Sequence, residues 1–143
     1  MSATAIYFFS EETPFKPKKV GALRVWLSDM INAEKHQLGE LNFIFCSDDY
    51  LLKINQEYLN HDTYTDTVTF DNSDKDGLIV GDIFISIERV RDNAKTFKSK
   101  SVDELHRVMA HSTLHLLGYK DKNPNDKKQM TAKEDEYLAK RNF

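Results

Sequence analysis

Leu105-His106-Arg107-Val108-Met109-Ala110-His111-Ser112-Thr113-Leu114-His115-Leu116-Leu117, followed by Gly118-Tyr119-Lys120-Asp121, reads as one helix and the turn that ends it. Ser101 and Glu104 have the spacing of a capping box, which starts the helix at Val102. Gly118 supplies the stop, because glycine enters the left-handed conformation without a Cβ clash. The helical period gathers Val102, Leu105, Val108, Met109, Ser112 and Leu116 on one face, with Ala110, Leu114 and Leu117 opposite. The last two turns are apolar nearly all round, so this helix belongs in the middle of a domain with other elements laid around it.

His111 and His115 sit in those turns. Four residues apart on a helix, they fall about 40° apart around the axis and about 6 Å apart along it, so both rings can reach one point. Each could be a core histidine bonded locally, or the two could share a metal. A buried imidazole nitrogen without a partner costs on the order of 1–3 kcal/mol, which favours a shared partner. Gly118 also folds the chain back just before Asp121, whose carboxylate could complete the set His111, His115 and Asp121 and leave positions open for water and substrate.

Outward from that helix, 143 residues suit a single domain over 1–143, burying about 70% of its unfolded surface. The one cysteine, Cys46, lies in an apolar run and suits a reducing, cytoplasmic setting. No basic leader followed by an apolar segment stands at the N-terminus, and no apolar run is long enough to span a bilayer, so no membrane partner is expected. A formal net charge of -3 excludes a protein coated in positive charge, though not a local groove for a polyanion.

In chain order, Ile6 to Phe9 reads as a first strand. A helix follows from Lys18 to about Glu34, with Pro17 near its first turn and Val20, Leu23, Trp26, Leu27, Met30 and Ile31 as its stripe. Gly39 breaks the pattern before a strand over Leu41 to Cys46, and Ser47 caps a helix whose inner face holds Leu51, Ile54, Asn55 and Tyr58. Asn55, among apolar neighbours, reads as a structural residue bonded to backbone. The polar segment from Asn60 to Asp66 leads into the strand Thr67 to Phe70, and Asp76-Gly77 closes a hairpin turn.

Leu78 to Ile87 is the strongest strand and reads as central. Within it, Gly81 implies close approach by another element, and Asp82 needs a partner. Ser86 caps a helix facing inward through Ile87, Val90, Ala94 and Phe97. A last helix presents Met130, Glu134, Tyr137, Leu138 and Arg141, with Glu134 read as a solvated side chain at a domain edge. The sum is an α+β domain: a mixed sheet of about four strands packed with about five helices.

His111-Ser112-Thr113-Leu114-His115-Leu116-Leu117-Gly118-Tyr119-Lys120-Asp121 resembles the signature His-Gly-x-Leu-His-Leu-x-Gly-Tyr-Asp-His of the YbeY family of metal-dependent endoribonucleases. Ile54-Asn55 with Tyr58, then Asp62, Thr65 to Phe70, and Gly81-Asp82-Ile83 match the same family in order. The resemblance implies one metal on the three signature ligands, single-strand-selective cleavage of RNA, a role in ribosomal RNA maturation, and ribosome-associated proteins as partners. It also implies that the polar segment borders the metal cleft. Three departures from the pattern matter: Asp121 stands for the third histidine, Ser112 for a glycine, and Leu59 for an arginine after the tyrosine.

A carboxylate as third ligand adds negative charge and hardens the site; zinc is the first choice, and nickel, manganese or iron are the alternatives. Leu59 removes a natural phosphate clamp, and Arg107 or Lys120 are the candidate substitutes. The chemistry expected is metal-assisted phosphodiester hydrolysis, with no residue assigned as general base. One rival is an RNA- or ribosome-associated metal-binding protein without catalysis. Another is a zincin-like peptidase, which needs a glutamate where this chain has Ser112.

Overall fold

A computed structural model describes residues 5–60 and 63–143. Its elements are β1 (Ile6–Glu11), α1 (Val20–Ala33), β2 (Gln37–Cys46), α2 (Asp48–Leu59), β3 (Thr67–Asp71), β4 (Leu78–Ser86), α3 (Ile87–Thr96), α4 (Ser101–Leu116) and α5 (Pro124–Leu138). The strands form one mixed sheet in the order β1-β2-β4-β3. β1 and β4 each pair in parallel with β2, while β3 returns antiparallel to β4 through the turn ended by Gly77 at φ 82°. The α+β architecture read from the sequence is the one observed, with β4 internal.

One sheet face carries the main core. Ile6, Leu41, Phe43, Phe45, Ile83 and Ile85 are fully buried there against Leu27, Met30 and Ile31 of α1 and Met109, Ala110 and Leu114 of α4. Each such aliphatic side chain contributes about 1.5–3 kcal/mol by leaving water. A smaller cluster on the other face joins Cys46, Leu51 and Val68 to Tyr50, Ile54, Phe70 and Phe84 beneath α2. Burial pushes the Cys46 thiol up to about 12, with nearby acids adding to the effect.

α4 touches α1, α3, α5, β3 and β4, the central position its all-round apolarity requires. A Cβ on Gly81 would stand 2.6 Å from the Phe70 carbonyl oxygen and 3.1 Å from Leu116 Cδ1. The absent side chain at Gly81 is therefore what lets the end of α4 lie on the sheet. Asp82, on the opposite face, accepts from Asn42 Nδ2 at 3.0 Å and Asn72 Nδ2 at 3.2 Å.

Ser47 and Ser86 cap α2 and α3, each accepting a main-chain N–H at 3.1 Å. The capping box of α4 does not form. The N-cap is Lys100, Ser101 is already helical, and Glu104 turns inward to 8% exposure instead of reaching back. Pro17 likewise precedes α1, whose N-cap is Lys19 at φ 56°. Gly39 does not end a segment; it lies inside β2 at a register shift between Leu38 and Glu40. Tyr58, Phe97 and Val102, read as inward residues, are all more than half exposed because they stand at helix ends beyond the sheet's cover.

Candidate metal centre

His111 and His115 lie on the last turns of α4, and Asp121 returns to them because Gly118, at φ 105°, reverses the chain. The two Nε2 atoms are 3.1 Å apart, and Asp121 Oδ2 lies 3.3 Å from that of His111 and 3.4 Å from that of His115. A tetrahedral centre with bonds of about 2.0–2.1 Å separates its ligand atoms by about 3.3 Å. The triangle already has those edges.

The other ring nitrogens are occupied. His111 Nδ1 is 2.6 Å from Glu134 Oε2, and His115 Nδ1 is 3.0 Å from the Tyr119 carbonyl oxygen. Both partners are acceptors, so each ring carries its proton on Nδ1 and turns the Nε2 lone pair to the common point, as metal-bound histidines do. Burial lowers the proton affinity of His111, but the hydrogen bond and charge of Glu134, with Asp121 and Asp66, leave it above the ordinary histidine value. The donor set of two imidazoles and a carboxylate suits a divalent cation, zinc included.

Glu134 is a buried component of this assembly rather than a solvated helix residue. Its Oε1 accepts from Arg107 Nη1 at 2.8 Å, and Arg107 Nη2 bonds Asp135 at 2.7 Å. A second support comes from Glu34, which accepts from Tyr119 at 2.6 Å, from Lys133 at 3.0 Å and from Tyr137. Burial would raise the Glu34 carboxyl, but these three donors hold it below the ordinary range. The turn bearing Tyr119 and Asp121 is thereby tied to α1 and α5. Neither glutamate is recognisable from sequence, since each partner lies 23 or more residues away.

The three donors open into a cleft of about 690 Å³ lined also by Asn55, Leu59, Thr67, Thr69 and Asp66. Asn55 donates to the Thr63 carbonyl at 2.9 Å and so holds the loop as a structural residue. Ser112 is fully buried and bonds Thr67 Oγ1 at 3.0 Å, fastening α4 to β3. Asp66 is set into the wall; desolvation raises its carboxyl above the ordinary range, against the charge of His111 and hydrogen bonds from Thr65 and two main-chain N–H groups. Residue type alone does not distinguish Asp66 from a loop aspartate; only its place in the matching run Thr65 to Phe70 singles it out.

Asp62 lies outside the described residues. Arg107 and Lys120 are absent from the cleft lining: the guanidinium of Arg107 is taken up by Glu134 and Asp135, and Lys120 is exposed on another surface with Glu34 and Tyr119. Leu59 reaches the cleft, and among the described residues no lysine or arginine lines it.

Fold and site together define an α+β protein with a histidine-rich, metal-competent cleft. The sequence matches the family described as endoribonuclease YbeY over residues 10–142. It is 52% identical over 143 residues to an endoribonuclease YbeY of Cytophaga hutchinsonii, covering 100% of both chains. To that of Flavobacterium johnsoniae it is 51% identical over 131 residues, covering 92% of this chain and 94% of the relative. The solution structure of TM1509 from Thermotoga maritima superposes with a TM-score of 0.66 at 27% identity, covering 93% of this chain and 86% of that one. The chain belongs to the YbeY endoribonuclease family.

Proposed function

We propose that this protein is a metal-dependent endoribonuclease, a hydrolase of RNA phosphodiester bonds that prefers unpaired strands and acts in ribosomal RNA maturation. Family membership supports the reaction class. The observation that carries the site is the triangle of His111 Nε2, His115 Nε2 and Asp121 Oδ2, with edges of 3.1, 3.3 and 3.4 Å. Zinc is the cation we assign to it, with nickel, manganese or iron as alternatives.

When bound, such a cation supplies Lewis acidity, polarising a phosphoryl oxygen and making water more acidic. The protein's own groups do the rest. Glu134 and the Tyr119 carbonyl hold the imidazoles in one tautomer and orientation. Asp66, whose partial burial raises its proton affinity, is the wall carboxylate suited to accept a proton from the attacking hydroxyl. The thread through Thr67 and Ser112 keeps that wall at a fixed distance from α4. A peptidase of the zincin type is disfavoured, because the position of its glutamate base holds Ser112, whose hydroxyl is committed to Thr67.

The test is cleavage of single-stranded and duplex RNA by the metal-loaded protein. Cleavage should disappear on chelation, return with added cation and be abolished by His115→Ala. Asp66→Asn should lower kcat about a hundredfold while metal affinity stays at the parent value. That no lysine or arginine lines the cleft among the described residues favours one second reading, a metal-binding RNA partner without catalysis. RNA affinity in a parent that never cleaves would select it.

A further inference from the structure

The metal ligands form one wall of the cleft, and the free edge of β3 forms another. β3 is an edge strand, and its register with β4 shows which main-chain groups remain open. Asn72 N donates to Val80 O at 2.8 Å, and Ser86 N donates to Asp66 O at 3.0 Å. These bonds mark the hydrogen-bonded positions of the antiparallel ladder, which alternate, so Val68 opposite Phe84 and Phe70 opposite Asp82 are of the same kind. Thr67, Thr69 and Asp71 occupy the intervening positions, where N–H and C=O both point away from the partner strand. The same three residues line the cleft.

Thr67 has local partners: its N–H bonds the Asp66 carboxylate and its carbonyl accepts the Thr65 hydroxyl at 3.4 Å. Among the described residues, nothing takes the outward main-chain groups of Thr69 and Asp71. The side chains lining the cleft are hydroxyls, carboxylates, the Asn55 amide, aliphatic groups and the two histidines, and among the described residues none is a lysine or arginine. Such a wall does not hold a phosphate by charge. It offers a neutral donor and acceptor side by side.

We infer that the free edge of β3 at Thr69 and Asp71 hydrogen-bonds the Watson–Crick edge of an unpaired nucleobase beside the scissile phosphate. This rests on the endoribonuclease reading and adds how substrate is selected. A Watson–Crick edge presents adjacent donors and acceptors, the complement of a residue whose N–H and C=O point the same way. In a duplex that edge is occupied by the pairing partner, so paired RNA is refused without any steric gate. An extended peptide is the other ligand an open strand edge takes; the continuity of this edge with the metal wall of a ribonuclease favours RNA.

The test compares two single-stranded oligoribonucleotides under the wild-type protein, one unmodified and one carrying N3-methyluridine or N1-methyladenosine at the nucleotides flanking the cut. The methylated substrate should lose at least tenfold in kcat/KM. Equal rates overturn the inference while leaving the endoribonuclease reading intact. Cleavage of neither substrate overturns that reading and this inference with it.

In the protein, Thr69→Pro deletes one outward N–H at a position where an edge strand tolerates proline. It should lower kcat/KM about tenfold with metal affinity and circular dichroism unchanged; a folded variant at the parent rate overturns the inference. Should the variant not fold, the methylated substrate decides alone. Competitive inhibition by an extended, uncharged peptide at concentrations comparable with the RNA KM would assign the edge to a peptide and also overturn it.

Discussion

The Glu134 carboxylate lies 2.6 Å from Nδ1 of His111, so a residue of α5 sets the orientation of a candidate metal ligand on α4. Arg107 in turn holds Glu134 by a 2.8 Å ion pair, which fixes the position of that carboxylate, only 8% of whose side chain is exposed. Removing the carboxylate should weaken metal binding without removing a ligand. Glu134→Gln is expected to lower metal affinity about tenfold and Glu134→Ala about a hundredfold, measured by competition with a chelating dye.

Asp121 supplies the one anionic donor of the triangle. Asp121→His replaces carboxylate by imidazole and keeps three donors, so binding of zinc should persist while preference shifts away from the harder manganese ion. Asp121→Ala leaves two donors and should cost at least about a hundredfold in affinity. Metal titration of the purified variants gives both numbers.

Leu59 brings an apolar side chain to a cleft that no lysine or arginine lines among the described residues. Leu59→Arg should place a guanidinium within reach of a bound phosphate, raising RNA affinity by about tenfold at low salt. The slope of log affinity against log salt should steepen by about 0.7, the increment for one further phosphate contact on a single strand. Binding measured across a salt series checks the second value independently of the first.

Gly81 is required by crowding rather than by its backbone angle, since an added Cβ meets the Phe70 carbonyl at 2.6 Å. Gly81→Ala should cost about 1–3 kcal/mol of stability, read as a lower Tm. Leu116, the other neighbour, lines the cleft, so the same variant should also perturb metal affinity.

His106 gives the fold an acid sensitivity separate from the candidate metal centre. Burial beside Trp26 and Phe143, with the Arg141 guanidinium 2.7 Å from Nδ1, lowers its pKa to about 4, while Asp103 opposes the shift. The unfolded chain takes up this proton first, near pH 6.5, so the stability linked to His106 is complete above that value and is lost as pH falls toward 4. His106→Phe should flatten the stability profile between those limits, as measured by denaturant unfolding at successive pH values.

Local chemistry made much of this legible. The spacing of His111 and His115, the reversal at Gly118, the caps at Ser47 and Ser86 and the crowding at Gly81 all depend on residues a few places apart or on a side chain that is absent. Where local signals competed with packing, packing prevailed: Ser101 satisfies the capping-box spacing, yet the helix begins at Ser101 and Glu104 is drawn inward.

By itself, the sequence determined a central apolar helix, two histidines sharing one of its faces and a sheet with β4 inside it, because helical and strand periods fix which side chains point together. Tertiary structure alone decided that Glu134 would orient His111, that Glu34 would anchor the Tyr119 turn, that Arg107 would be spent on carboxylates instead of substrate, and that Thr69 would present its backbone to the cleft. Those relationships join elements far apart in the chain. They are set by how helices and strands pack and register, which no local pattern of residue types encodes.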